Sequence, residues 1–115
     1  MRRLRIGIVG CGNMSRAHIA GYQAHGECDI VALCDVNEAM SGERRKLAPG
    51  ARTFRDYRDM LRAEPLDGIS ICTPPCLHHE ILMAALDRGV HALCEKPFTT
   101  SSRLAREVAA KARER

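Results

Sequence analysis

The sequence predicts an α/β fold in which a parallel sheet is wound on both faces by helices. Strand-like apolar runs alternate with helix-like segments along all 115 residues, which is typical of a parallel sheet. A glycine-rich turn joins the first strand to the first helix. The third strand is the shortest and most polar, as an edge strand should be. These observations fit a three-layer, doubly wound sheet of five strands in the order 3-2-1-4-5.

Five apolar or β-branched segments predict the strands, and residues that favour turns separate them from the helices. The predicted strands are residues 5–9, 29–34, 51–54, 68–72 and 90–94. Apolar residues at helical spacing predict the helices, with Asn37 and Asp56 as N-caps and Gly89 as a stop signal. The predicted helices are residues 13–24, 37–48, a short helix after Asp56, residues 76–88, and a last helix from Ser101 or Ser102 to about residue 113.

Composition limits the classes of protein that the chain can belong to. Residues 1–115 amount to one domain, with 45% hydrophobic and 28% charged residues. No apolar run reaches the roughly 18 residues of a membrane span, and no secretory signal is present, so we expect a cytoplasmic protein without a membrane partner. The charge of +4 is scattered and only two Phe, two Tyr and no Trp are present, which disfavours nucleic acid. The six cysteines lack metal-site spacing, so we expect buried thiols and no metal.

The glycine-rich turn has the pattern Gly10-x-Gly12-x-x-Ser15. Gly10 permits a tight turn, Gly12 lets the backbone approach a pyrophosphate, and amides at the start of the next helix face the phosphates. Ser15 stands where Gly or Ala is usual, but it is small enough for close packing of helix on strand. The alternative is an ordinary glycine turn. Its position between the first strand and the first helix favours dinucleotide binding, and with it a Rossmann-type fold.

An acidic residue, Asp35, directly follows the second strand. In dinucleotide-binding folds a carboxylate roughly 20 residues beyond the glycine turn accepts hydrogen bonds from ribose hydroxyls. The alternative is an ordinary strand-end or capping Asp. A carboxylate here repels a 2′-phosphate, so NAD is expected and NADP is less favoured. Arg44 and Arg45 could offset that repulsion, but they lie a turn or more into the following helix.

Two further segments follow strands 4 and 5, at the edge where ligands of such sheets bind. Thr73-Pro74 leaves the fourth strand, and His78 and His79 lie in the first turn of the next helix. His79 is interpreted as a surface residue. Lys96 follows the fifth strand and could exchange a proton with a substrate hydroxyl if its pKa fell toward about 7–8. A solvated lysine is the alternative.

The segments GIVGCGNMSRAH, CDVN, TPPCLHHE and EKPF, in this order and over the whole chain, resemble the glucose–fructose oxidoreductase / inositol dehydrogenase family, also called Gfo/Idh/MocA. The resemblance implies a nicotinamide-dependent dehydrogenase of sugars, cyclitols or related polyols, usually a homo-oligomer. One departure is Pro75, where the family often has Asn. The alternative is a non-catalytic dinucleotide-binding sensor or partner-binding module, but a proton-handling lysine at the cleft favours the enzyme.

The resemblance also implies roles for individual residues. The phosphates would bind at the turn and the helix start, the adenosine ribose at Asp35, and the nicotinamide half along the end of strand 4. Glu95 would contact the nicotinamide-ribose side, and Lys96 would be the catalytic lysine. The family's sixth strand and its C-terminal substrate and oligomerisation domain have no counterpart in residues 1–115, so we expect the isolated chain to bind cofactor without turnover. The implied cofactor-binding residues are Gly10, Cys11, Gly12, Asn13, Met14, Asp35, Thr73, Pro74, His78 and Glu95.

Overall fold

The computed structural model describes residues 3–94, except for the side chain of Pro75. Strands and helices alternate along this part of the chain, as the sequence predicts. The strands are Leu4–Val9 (β1), Cys28–Cys34 (β2), Arg52–Phe54 (β3), Gly68–Ile71 (β4) and His91–Cys94 (β5). The helices are Asn13–His25 (α1), Glu38–Arg45 (α2), Tyr57–Ala63 (α3) and His78–Asp87 (α4), the last preceded by a 3-10 turn at Pro75–Leu77.

All five strands form one parallel sheet in the order β3-β2-β1-β4-β5, which confirms the predicted order. β1 lies at the centre and pairs with β2 on one side and β4 on the other. The three-residue β3 forms one edge, where its exposed Arg52 and Thr53 remain in contact with water. The last helix, predicted near residues 101–113, lies outside the described residues.

Helices cover the sheet on both faces, which gives the predicted three layers. On one face Ile6 and Ile8 of β1 pack with Ile19 of α1 and Leu33 of β2. The opposite face packs against α3 and α4, and its buried residues include Met60, Leu61, Ile69, Ile71, Ile81 and Leu82. Full burial of one aliphatic side chain of this size contributes about 1.5–3 kcal/mol to stability. The two cores therefore account for most of the favourable free energy of folding.

Several element boundaries differ from those predicted. α2 ends at Arg45 rather than near residue 48, because the chain turns back and buries Ala48 and Ala51 against the sheet. α4 begins at His78 rather than at residue 76. Two consecutive prolines precede it, and a proline has no N–H to donate and a fixed φ, so the chain enters this helix through a 3-10 turn.

The predicted helix caps are confirmed. The side chain of Asn37 accepts a hydrogen bond from the amide of Ala39 at 3.0 Å, and Asp56 accepts one from the amide of Arg58 at 2.9 Å. Each cap satisfies an amide that the helix itself leaves without an acceptor. The residues after β2 and β3 are thereby held close to the carboxyl edge of the sheet.

Candidate functional site

A cavity of about 430 Å³ opens at the carboxyl edge of the sheet, beyond the ends of β1, β2 and β4. Three segments that are far apart in sequence contribute to its lining: the turn after β1, the residues after β2 and the residues after β4. The crevice therefore lies where the strand order reverses direction, which is the usual ligand site of such sheets. Its lining includes Val9, Gly10, Gly12, Asp35, Val36, Tyr57, Thr73, Pro74 and Leu77.

Gly10 makes the tight turn that the sequence predicts. Its φ is +92°, a left-handed conformation that side chains other than glycine's rarely adopt. A Cβ at this position would lie 2.7 Å from the carbonyl carbon of Cys72 and 2.8 Å from the amide nitrogen of Thr73. The Gly10 amide also donates to the Cys34 carbonyl at 2.8 Å. Gly10 therefore presses the turn against the end of β4 and ties it to β2.

Gly12 precedes α1, where the backbone is open to the cavity. A Cβ on Gly12 would meet no atom within 4 Å, and no side chain caps the helix. Within residues 3–94, the amides of Asn13 and Met14 have no protein acceptor. Amides of this kind, at the positive end of a thirteen-residue helix, form a favourable environment for an anion.

Asp35 lies beside this turn, as expected, and it has a structural role that the sequence did not indicate. One carboxylate oxygen accepts from the Cys11 amide at 2.8 Å, and the other accepts from the Asn37 amide at 2.8 Å. The half-buried carboxylate thus holds the glycine turn against the start of α2 while it lines the cavity. Hydroxyl groups of a ligand can still donate to its remaining lone pairs.

Cys11 contributes to the turn from its buried side. Its side chain is fully buried, and its thiol lies 3.6 Å from the Cys34 carbonyl oxygen, to which it donates. Burial, with a smaller effect of the Asp35 charge, raises the pKa of Cys11 to about 12. Its amide donates to Asp35 and its thiol to the Cys34 carbonyl, so both groups of Cys11 help to shape the turn.

Thr73 and Pro74 line the cavity at the end of β4. The Thr73 hydroxyl oxygen is buried and has no hydrogen-bond partner among the described residues. A buried hydroxyl without a partner is unusual, and in a cavity wall it is a group that a ligand can satisfy. The Thr73 carbonyl, in contrast, accepts a hydrogen bond from Nε2 of His78 at 2.7 Å.

The two histidines of the β4–α4 turn are more buried than the sequence suggested. His78 is only 1% exposed and braces the turn through the Thr73 carbonyl, so it supports the cavity wall from behind. His79, predicted to lie on the surface, is half-buried.

Glu95 and Lys96 lie outside the described residues. β5 ends at Cys94, which pairs with Ile71 at the end of β4, so both strands end at the same carboxyl edge of the sheet.

No cluster of three potential metal ligands is present in residues 3–94, and no helix among them is long and apolar enough to cross a membrane.

Sequence reasoning missed part of the cavity wall. Tyr57 and Arg58, at the start of α3, line the cavity and both approach Glu80 of α4, at 3.4 Å and 3.5 Å. The sequence predicts only a short helix after Asp56 and assigns neither residue to the site. No local pattern marks them, because only the crossover from β3 to β4 brings the start of α3 to this edge.

The sequence is similar to those of curated dehydrogenases. D-apiose dehydrogenase of Paraburkholderia graminis is 35% identical over 114 residues, which is 96% of this chain and 29% of that protein. Inositol 2-dehydrogenase of Corynebacterium glutamicum is 33% identical over 102 residues, which is 88% of this chain and 30% of that protein. The chain therefore spans about a third of the length of the curated relatives it matches.

The fold is shared with a solved enzyme complex. The WlbA dehydrogenase from Bordetella pertussis, crystallised with NADH and UDP-GlcNAcA, superposes with a TM-score of 0.93 at 30% identity over 99% of this chain and 34% of that one. Residues 4–115 match the family described as an oxidoreductase family with an NAD-binding Rossmann fold. The chain belongs to the Gfo/Idh/MocA family of oxidoreductases and comprises its NAD-binding Rossmann domain.

Proposed function

We propose that this chain binds NAD in preference to NADP, as the cofactor domain of a dehydrogenase that acts on a sugar, cyclitol or related polyol. One observation carries the proposal: a single cavity is lined by Gly12, which directly precedes the α1 amides without an acceptor, by Asp35 and by Thr73 with its buried hydroxyl. When bound, the nicotinamide supplies the hydride chemistry, and the protein orients it.

The start of α1 would hold the pyrophosphate. The Asn13 and Met14 amides need an acceptor, and the open space at Gly12 lets phosphate oxygens approach the backbone. The exposed apolar side chains of Val36 and Leu77, which also line the cavity, suit the flat face of a base.

The preference for NAD rests on charge near Asp35. A carboxylate accepts from ribose hydroxyls but repels a 2′-phosphate. Arg44 and Arg45 do not offset that repulsion, because Arg44 donates to Ser15 in the protein interior and Arg45 donates to the Ala51 carbonyl. Arg55 lines the cavity, but Glu38 lies 3.8 Å from it and partly balances its charge.

The catalytic assignment goes further, to residues outside the described part of the chain. In this proposal Glu95 contacts the nicotinamide-ribose side, while Lys96 exchanges a proton with the substrate hydroxyl. Positioning a substrate can lower a barrier by roughly 7–11 kcal/mol, and it needs groups around the reacting carbon. Since the relatives are about three times as long as this chain, we place those groups, and the interface of a homo-oligomer, in a further domain. Residues 1–115 alone then bind the dinucleotide without turnover, and the protein works in the cytoplasm.

The test is calorimetric titration of the 115-residue chain with NADH and NADPH, together with an assay of NADH formation against a panel of polyols. We expect tighter binding of NADH and no turnover. Equal or tighter binding of NADPH would contradict the role of Asp35. Turnover by the chain alone, abolished in Lys96→Ala, would place the substrate site within these residues and contradict the proposed division between domains.

A further inference from the structure

Arg44 is a buried arginine behind the glycine turn, and the proposed function gives it no role. It lies on α2 and is only 8% exposed. Its Nε donates to the Ser15 hydroxyl at 2.9 Å and approaches the Gly12 carbonyl oxygen at 3.4 Å. Ser15 is fully buried, and its own hydroxyl donates to the same Gly12 carbonyl at 2.6 Å.

No carboxylate among the described residues lies within ion-pair distance of the Arg44 guanidinium, although other arginines have one. Arg3 pairs with Asp29, and Arg52 pairs with Glu64, each at 3.0 Å or less. Arg44 is the one buried arginine of the described residues, and a buried charge without a counter-charge is costly. An anion bound at the start of α1 would supply negative charge on the other side of the Gly12–Asn13 peptide unit from Arg44.

The contacts of Arg44 also fix the direction of an amide. The Gly12 carbonyl accepts from the Ser15 amide at 3.1 Å in addition to the Ser15 hydroxyl and Arg44. The carbonyl of Gly12 and the N–H of Asn13 belong to one trans peptide unit and point in opposite directions. Holding the carbonyl toward the interior therefore holds the Asn13 N–H toward the open side of the turn. Glycine restrains this peptide unit less than another residue would, and Arg44 adds a third donor to the two from Ser15 that hold it.

We infer that Arg44 is a positioning residue for the dinucleotide pyrophosphate. Through Ser15 and the Gly12 carbonyl it directs the Asn13 amide at the phosphates, and its guanidinium provides the buried positive charge that the phosphates neutralise. The inference rests on the proposed function. It also gives a reason for the serine at position 15, because Gly or Ala would offer Arg44 no hydroxyl. The positive charge of Arg44 also acts electrostatically on the turn. It lowers the pKa of Cys11, although burial raises that pKa by a larger amount.

The principal test compares Arg44→Met with Arg45→Met in calorimetric titrations with NADH. Both variants remove one positive charge from the same helix, but Arg45 is exposed and its Nε donates to the Ala51 carbonyl, away from the turn. We expect a Kd for NADH about tenfold higher in Arg44→Met and unchanged within about twofold in Arg45→Met, since hydrogen bonds to charged groups have effects of this size. Equal Kd values for Arg44→Met and the wild type would overturn the inference and leave the proposed function intact.

A second readout separates positioning from general support of the fold. Chemical-shift titrations with ADP and with adenosine use the Asp35 amide as a reporter, because adenosine has the ribose but no phosphate. Arg44→Met should weaken ADP binding about tenfold and adenosine binding by less than twofold. Equal weakening of both ligands would mean that Arg44 only supports the fold. If the wild type bound neither NADH nor ADP, both this inference and the proposed function would fail.

Two milder variants keep the test decisive if Arg44→Met does not fold. Ser15→Ala keeps the charge and removes the hydroxyl, and we expect a Kd for NADH raised about threefold, a moderate effect for one neutral hydrogen bond. Arg44→Lys keeps the charge without the guanidinium geometry and should recover part of the affinity. In the double variant Ser15→Ala/Arg44→Met the two losses should be less than additive. Wild-type affinity in both Ser15→Ala and Arg44→Lys would overturn the inference.

Discussion

At the amino edge of the sheet, Glu64 is almost fully buried and accepts hydrogen bonds from Arg5 at 2.8 Å and Arg52 at 3.0 Å. At the carboxyl edge, the amides that begin α1 and the Thr73 hydroxyl have no protein partner within the described residues. The amino edge satisfies these polar groups internally, whereas the carboxyl edge leaves the α1 amides and the Thr73 hydroxyl without a partner among the described residues.

The contrast extends to the backbone. At the amino edge, Asp67 accepts from the Arg5 amide at 2.7 Å, and the Arg5 side chain donates to the Pro65 carbonyl at 2.6 Å. At the carboxyl edge, side chains also bond the backbone, but they leave the first amides of α1 without a partner: Asp35 accepts from the Cys11 amide, and the Ser15 hydroxyl donates to the Gly12 carbonyl. The hydrogen bonds at the amino edge therefore stabilise the fold. Those at the carboxyl edge hold the glycine turn in place.

The largest expected effect comes from Gly10→Ala. The new Cβ would overlap the Cys72 carbonyl at 2.7 Å, and φ would remain near +92°. Strain and overpacking of this kind each cost about 1–3 kcal/mol, so we expect unfolding at a clearly lower urea concentration. Gly12→Ala is the matched control, because its φ is −75° and its Cβ meets no atom within 4 Å. It should keep its stability and lose NADH affinity; equal urea midpoints for the two variants would contradict this interpretation.

The next effect concerns the amino edge. Glu64→Gln removes the charge shared by Arg5 and Arg52 but keeps the shape of the side chain. Both arginines are partly exposed and can be rehydrated, so we expect a loss of about 1–2 kcal/mol in unfolding free energy. NADH affinity should stay at the wild-type value, because the carboxyl edge is untouched. A weaker NADH complex in a folded Glu64→Gln variant would show that the two edges are coupled.

Asp35→Ser probes the carboxyl edge itself. Serine cannot bridge the Cys11 and Asn37 amides as the carboxylate does, and it removes the charge that repels a 2′-phosphate. We expect the ratio of the Kd values for NADPH and NADH to fall about tenfold, with about 1 kcal/mol of lost stability. Calorimetry with both nucleotides measures the ratio. An unchanged ratio would remove Asp35 from the discrimination.

The smallest effect concerns the cysteines. Burial raises the pKa of both Cys11 and Cys34 to about 12, so neither is a thiolate at pH 8. We expect iodoacetamide to modify the exposed Cys76 first and to leave Cys11 and Cys34 unmodified until the chain unfolds, as peptide mass spectrometry would show. Since these pKa values are raised above the unfolded value of about 8.5, the unfolded state loses these protons first. Stability should then fall as the pH rises from about 9 toward 12. Rapid labelling of Cys11 in the folded chain would refute the buried position.

Local chemistry in the sequence was sufficient for much of the fold. Alternating apolar runs predicted the five strands, and the short polar segment at residues 51–54 predicted the edge position of β3. Asn37 and Asp56 predicted two helix starts, because a cap is a contact between residues two apart. The glycine turn predicted the start of α1 for the same reason.

The tertiary structure alone decided which side chains distant in sequence meet one another. Arg44 meets Ser15 across 29 positions, Asp35 meets Cys11 across 24, and Arg5 meets Glu64 across 59. It also decided the burial of His78 and the early end of α2 at Arg45. Periodicity reports which face of an element is apolar, and spacing reports contacts within a turn or a cap. Neither pattern contains the distance between two elements, because that distance is set by how the helices pack on the sheet. The sequence therefore determined the order of the strands and the edge at which we expect the ligand. Packing determined which side chains support that edge.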